Sequence, residues 1–202
     1  LNRVSLSPDE LAAAFMHMVH QGQVYGLFLS TGICRSASHS MENIVKTTDI
    51  LRNRYKFSGY IHLKVIPGCS PHLIDSAAAL ADRLSVNMEA PDEGYLGRIA
   101  PDKSINSDIL PAASRISQLL KKRTNSGRNT KIRAASQTTQ YVVGAADEKD
   151  IEILNSVDYL YRDFHMFRAY FSAYQTQRGS TGVPEETCNR VSGSLKDTNS
   201  DN

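Results

Sequence analysis

The sequence predicts an α/β fold built on a parallel sheet, and three observations carry this. Apolar segments of about five residues alternate with segments of about twelve to fifteen residues whose apolar positions recur at helical spacing. The alternation is strict, a helix before each of five strands. Each predicted strand has one apolar and one hydrophilic face, set by the parity of its residues. Strands separated by a helix pair in parallel through right-handed crossovers. Such a sheet is either open or curled into part of a barrel.

The elements follow in order. "SLSPDELAAAFMHMVHQG" is a helix, with Ser7 as N-cap, Pro8 in the first helical position, Glu10 completing a capping box and Gly22 as the stop. "VYGLFLS" is the first strand. "SMENIVKTTDILRNRY" is a helix by the spacing of Met41, Ile44, Val45, Ile50 and Leu51, with Ser40 as its cap. "GYIHLKVIPG" is a strand closed by Pro67 and Gly68, and "SPHLIDSAAALA" a helix with the same Ser-Pro start. "DRLSVNMEA" is the third strand. Two weaker helices, around Gly94–Ile99 and Asp108–Lys122, lead to the strand "TTQYVVGA". "DEKDIEILNSVDYLYRDF" is the last helix and "FRAYFSAYQ" the last strand.

The 202 residues suffice for one domain, expected over residues 1–174. Apolar residues make up 41% and charged residues 22%, a globular balance, and no apolar run approaches a membrane span. Residues 175–202 hold four apolar residues and no aromatic, so this tail is predicted to be disordered. Three widely spaced cysteines, Cys34, Cys69 and Cys188, argue for a reducing, cytoplasmic setting. No signal peptide is evident. The chain starts at Leu1 with a helix signal at once, which predicts that it is part of a longer protein.

The hydrophilic strand residues need an explanation, because parallel strands are normally covered on both faces. His62 and Lys64 share one face of their strand, and Ser85, Asn87 and Glu89 share one face of theirs. Gln140 sits among apolar neighbours, and Tyr170, Ser172 and Tyr174 alternate with Ala169, Phe171 and Ala173. The apolar faces are expected to pack on the helices and the polar faces to line a barrel interior. Burying Lys64 or Glu89 alone would cost several kcal/mol, so they must pair with each other, with water or with a polar ligand. Ser30, Thr31, Lys64, Asn87 and Glu89 all fall at C-terminal strand ends, where α/β folds bind ligands, and are expected to share one cavity. Gly32 would let a ligand approach the backbone. His62 reads as structural, Glu89 as a possible helix cap, and Cys34 and Cys69 as partly buried free thiols. The segment Lys121–Arg133, with six basic residues and no acid, reads either as a solvated loop or as a phosphate contact. Lys64 is also the candidate catalytic residue, as Schiff-base nucleophile or general base with Glu89 as acid.

"YGLFLSTGICRS…ME", "FSGYIHLKVIPG", "ADRLSVNMEAP", "LGRIAPDKS…IL", "QTTQYVVGAADEKDIEIL" and "YFSAY" together resemble the DNA modification/repair radical SAM proteins, over about Leu1 to Tyr174. These are bacterial proteins encoded with a uracil-DNA-glycosylase-like partner. The resemblance implies a partial (β/α)6 TIM-like barrel whose first strand and cluster loop lie upstream of Leu1. It implies S-adenosylmethionine and a [4Fe-4S] cluster as cofactors, generation of a 5′-deoxyadenosyl radical, and a nucleic-acid substrate. By position it assigns Ser30, Thr31 and Gly32 to the methionine amino group, and Asn87 and Glu89 to the ribose or carboxylate. Val142 and Gly144 fall beside the adenine, and Lys64 matches a lysine of the third strand. The basic residues Lys121, Lys122, Arg123, Arg128, Lys131 and Arg133 would contact nucleic acid. The sequence departs from the family in one respect: no C-x3-C-x2-C motif occurs in it. The chain alone is therefore expected to be inactive, as a fragment or as a truncated remnant that binds a nucleotide-like ligand or a partner protein.

Overall fold

The computed structural model describes residues 6–126 and 130–175. The predicted tail therefore lies, but for Gln175, outside the described residues, as do Arg128 and Cys188. The elements are α1 (Pro8–His20), β1 (Gly26–Leu29), α2 (Ala37–Asp49), β2 (Tyr60–Lys64), α3 (Pro71–Leu80), β3 (Arg83–Ser85), α4 (Glu93–Ile99), α5 (Leu110–Ser126), β4 (Ser136–Val143), α6 (Asp150–Phe164) and β5 (Arg168–Ala173). The five strands lie in the order β1-β2-β3-β4-β5 with every neighbouring pair parallel, forming a curled half-barrel.

Local chemistry explains the boundaries. Ser7 and Glu10 form the predicted capping box: the Glu10 N–H donates to Ser7 Oγ at 3.3 Å and the Ser7 N–H to Glu10 Oε2 at 2.8 Å. Such a cap stabilises a helix by about 1 kcal/mol. The second helix begins four residues before the predicted Ser40, because Ser36 is its N-cap and accepts the His39 N–H. Ser40 is instead buried and accepts the Cys34 N–H at 2.8 Å, pinning the loop after β1 to the helix. A π-helical turn, Ile50–Arg54, extends α2, and another, Ile105–Ile109, precedes α5. The third strand is shorter than predicted, yet its pairing with β4 continues beyond Ser85. Val86 N–H donates to Thr138 O, and Glu89 and Tyr141 form a parallel bridge.

The parity expected of β2 and β3 holds. Ile61, Leu63, Val65, Leu84, Val86 and Met88 point to the helices and are each 0–3% exposed. Truncating one of the larger of these to Ala would cost about 2–5 kcal/mol. The rule fails on β4. Gln137 and Thr139 lie on the helix-facing side and are buried, and so is Tyr141. Gln137 Nε2 donates to Phe164 O and Ala113 O, and Thr139 Oγ1 accepts the Met88 N–H at 3.0 Å. These polar groups tie strands to helices and neighbouring strands. On β5 the predicted apolar face is not covered either: Phe171 is exposed and stacks on Tyr141 at 6.0 Å, because β5 is a sheet edge.

One ionic knot closes the N-terminal rim of the sheet. Asp82 Oδ2 accepts from Arg52 and from the Ile61 N–H, both at 2.8 Å, and Oδ1 accepts from Arg133 at 2.7 Å. Arg52 also donates to the carbonyls of Phe57, Gly59 and Leu80. Gly59 is required here, since a Cβ would meet the Phe57 ring at 2.3 Å and Tyr25 O at 2.7 Å. No helix among the described residues is long and apolar enough to cross a membrane.

Candidate functional site

The strongest cluster of predicted site residues lies at the C-terminal end of the sheet. Lys64 ends β2, and its partner in the register is Ser85, two residues before Asn87. Glu89 follows at φ 65°, an uncommon conformation for this residue type, held by two backbone bonds. Its N–H donates to Gln140 O at 2.9 Å, and its carbonyl accepts the Val142 N–H at 2.8 Å. The Glu89 Oε1 then gathers Asn87 Nδ2 at 3.4 Å, Lys103 Nζ at 3.4 Å and Lys64 Nζ at 3.9 Å. The Glu89 side chain is 13% exposed. Among the described residues no hydrogen bond reaches Oε2, which leaves it as an open acceptor.

Burial lowers the pKa of the Lys64 ammonium; Glu89 opposes this and Lys103 adds to it. Two lysines share one carboxylate, so the cluster has a net positive charge, one carboxylate oxygen to offer and two ammonium donors. That set can hold vicinal hydroxyls on the carboxylate and a carboxylate or phosphate on the ammonium groups. Lys103 was missed in the sequence, because it lies in a loop where neither period nor spacing marks it. The reading of Glu89 as a helix cap is not supported: α4 is capped by Asp92, whose carboxylate accepts from Gly94 N–H and Tyr95 N–H.

The other predicted residues divide around this cluster. Val142 directly abuts Glu89, but its N–H is already committed there. Gly144, at φ 82°, donates its N–H to the Glu148 carboxylate, which also accepts the Ala146 N–H at 2.9 Å. Glu148 thus shapes the turn after β4, and the N–H groups of Val142 and Gly144 are spent inside the fold. Their contacts with a ligand are left to carbonyls and to the faces of the chain.

Ser30, Thr31 and Gly32 are exposed beyond β1. Leu29 pairs with Leu63, so Ser30 and Lys64 stand one step further along neighbouring strands. Yet Ser30 and Thr31 line a different cleft, of about 630 Å³, between Leu11 of α1 and Arg35, His39 and Asn43 on the side of α2. The lining of this cleft includes neither Lys64 nor Glu89, so it is not the shared cavity expected of these residues. Thr31 Oγ donates to Gly32 O at 3.1 Å, and a side chain at Gly32 would meet open space, so packing does not demand a glycine.

The expected basic loop is also rearranged. Lys121, Lys122 and Arg123 lie inside α5. Lys122 and Lys131 line a groove of about 740 Å³ beside the Arg115–Asp75 ion pair, whereas Lys121 lines a separate cleft with Tyr161 and Phe167. Arg133 belongs to the Asp82 knot. The described basic residues of this segment do not make one patch.

The two described cysteines do not fit a [4Fe-4S] cluster. Cys34 is exposed, and Cys69 is buried with its thiol pushed up to about 11, the reverse of what a thiolate ligand needs. The described residues contain no group of three His, Cys, Asp or Glu side chains arranged for a metal ion. Comparison with models of known protein families gives no match, and neither does comparison with the curated proteins.

Proposed function

We propose that the C-terminal rim of this half-barrel holds an adenosyl ligand of the S-adenosylmethionine class, as part of a partial (β/α)6 barrel of radical SAM type whose substrate is nucleic acid. The observation that supports the reading is the Glu89 carboxylate, fixed by its own backbone and clasped on one oxygen by Lys64, Asn87 and Lys103. Glu89 Oε2 would accept the ribose hydroxyls. Lys64 and Lys103 would receive the carboxylate of the methionine moiety. Gly144 and Val142 would border the adenine, and Ser30 and Thr31 would bound the rim on the β1 side. In the resembled proteins the bound sulfonium, reduced by the cluster, supplies a carbon radical. No step of that kind is assigned to these residues, because the sequence has no C-x3-C-x2-C loop. What they contribute is binding, orientation and a fixed charge pattern.

The open carboxylate oxygen and the two ammonium groups also suit a second reading, a non-catalytic domain that binds a nucleotide-like ligand or a protein partner of the uracil-DNA-glycosylase type. Calorimetric titration with S-adenosylmethionine, S-adenosylhomocysteine and adenosine tests both. The first reading expects S-adenosylmethionine and S-adenosylhomocysteine to bind more tightly than adenosine, and Glu89→Gln to weaken all three by about tenfold, the worth of a charge-assisted hydrogen bond. Equal affinity for all three would favour the second reading. No binding of any would refute the adenosyl site.

A further inference from the structure

The concave face of the sheet carries a feature that the adenosyl reading does not use. Tyr60 on β2, Arg83 on β3, Phe167 just before β5, and Arg168 and Tyr170 on β5 form an alternating series of rings and guanidinium groups. Arg83 lies over Tyr60 at 5.9 Å from the ring centroid and over Phe167 at 5.2 Å. Arg168 lies over Phe167 at 5.7 Å and over Tyr170 at 5.8 Å. The register puts Tyr60, Arg83, Arg168 and Tyr170 on the polar face, since Arg83 pairs with His62 and Tyr170 with Gln140. Phe167 stands at the N-terminal edge of that face, just before β5, where its ring meets both guanidinium groups and also borders the cleft of Lys121. The series crosses from the second strand to the fifth. Burial above all raises the Tyr60 hydroxyl; Arg83 opposes this, and Asp82 and Tyr170 add to it.

Two properties identify what fits such a face. The rings are open, with Tyr60 46%, Phe167 54% and Tyr170 42% exposed. One exposed ring is ordinary, but three joined through guanidinium groups make a continuous surface. The charge is also uncompensated. Among the described residues neither Arg83 nor Arg168 has a carboxylate within ion-pairing distance. The nearby Asp82 is taken by Arg52, Arg133 and the Ile61 N–H. An apolar partner would leave two cations buried and unpaired, and an added strand would pair with a sheet edge and not with this face. Flat rings beside unpaired guanidinium groups suit a polyanion that carries flat rings of its own.

We propose that the concave face binds single-stranded nucleic acid, with unstacked bases lying on Tyr60, Phe167 and Tyr170 and phosphates on Arg83 and Arg168. Bases in a duplex have no free faces to stack, so the site discriminates against duplex. Lys121, which shares a cleft with Phe167, continues the positive charge away from the face. The proposal rests on the nucleic-acid part of the reading above and uses none of the residues of its adenosyl part.

The test uses the 202-residue chain and fluorescence anisotropy of labelled oligothymidylate and oligouridylate of about twelve nucleotides, within the usual single-strand site sizes, against a duplex of equal length. The single strands are expected to bind at least about tenfold tighter than the duplex. Each of Tyr60→Leu, Phe167→Leu and Tyr170→Leu is expected to weaken binding about tenfold, and Phe167→Tyr to retain it, since stacking needs a ring and not merely an apolar side chain. Arg168→Gln is expected to flatten the salt dependence by about 0.7 in log–log slope. The chain has no tryptophan, so quenching of tyrosine fluorescence on binding reports stacking directly. Thermal unfolding of each variant checks that these exposed positions leave the fold intact. Duplex binding equal to single-strand binding would overturn the proposal, and so would tight single-strand binding that the three leucine variants leave unchanged. Self-association abolished by those variants, with no oligonucleotide bound, would overturn it in favour of a second copy. Glu89→Gln separates the two proposals, since it should weaken adenosyl binding and leave oligonucleotide affinity alone.

Discussion

Acidification should destabilise this fold in a way that one imidazole, that of His62, makes measurable. The ring lies on the concave face 4.7 Å from the Phe28 ring, and its Nε2 is buried with no hydrogen-bond partner in the structure. Burial above all, and then the charge of Arg83, lowers its pKa from 6.5 to about 4. The fold therefore favours neutral His62, and in the pH window between these values the unfolded chain binds more protons than the folded one. Stability is fully present above the unfolded value and falls as pH drops from about 6.5 towards 4. At pH 5 the two values give a loss of about 2 kcal/mol relative to pH 8, and the limiting loss is about 3.4 kcal/mol. Part of the ring meets solvent, which screens the charge, so about 1–2 kcal/mol is the working figure at pH 5. Urea unfolding followed by circular dichroism at pH 8 and pH 5 measures it, with His62→Phe as the reference, because Phe keeps the contact with Phe28 and cannot titrate. The difference in stability between the two pH values should be smaller in His62→Phe by about 1–2 kcal/mol. Carboxylates elsewhere titrate in both proteins and cancel. If the variant loses as much stability as the native chain, His62 is not held neutral and the reasoning fails.

Two other perturbations test the rim that supports the strands. Asp82→Ala leaves Arg52, whose side chain is 8% exposed, without its carboxylate and removes the acceptor for the Ile61 N–H; it should cost about 3 kcal/mol in chemical unfolding, and a cost below about 1 kcal/mol would contradict a structural knot. If the basic residues of α5 contact nucleic acid, Lys121→Ala should weaken oligonucleotide binding and its salt dependence more than Lys122→Ala. Lys121 opens on the cleft of Phe167 and Lys122 on the far groove, so equal effects would argue for diffuse attraction instead.

Several features are legible in the sequence alone. The capping box of Ser7 and Glu10, the Ser-Pro start of α3, and the alternating faces of β2 and β3 depend only on neighbours in sequence, and they stand as read. The sequence left Lys64 and Glu89 to pair with each other, with water or with a ligand, and the structure brings them to 3.9 Å. The same logic misread β4. Gln137 and Thr139 are polar yet face the helices, because the Gln137 amide N–H groups reach the Ala113 and Phe164 carbonyls and the Thr139 hydroxyl accepts the Met88 N–H, although Gln137 Oε1 is buried with no partner among the described residues. It also placed Ser30 and Thr31 in one cavity with Glu89, whereas the loop after β1, pinned by Ser40, turns them towards α1 and α2.

The sequence by itself determined the period of each segment, hence the order of helices and strands, the parallel sheet and the residues that share a face. Those follow from the geometry of a chain a few residues long. Only the tertiary structure decided which distant groups meet. Lys103 joins Glu89 from a loop with no pattern of its own, and Arg83 lies between Tyr60 and Phe167, more than eighty positions away from the second of these. The curl of five parallel strands creates those contacts, and no periodicity along the chain encodes the distance across a curved sheet.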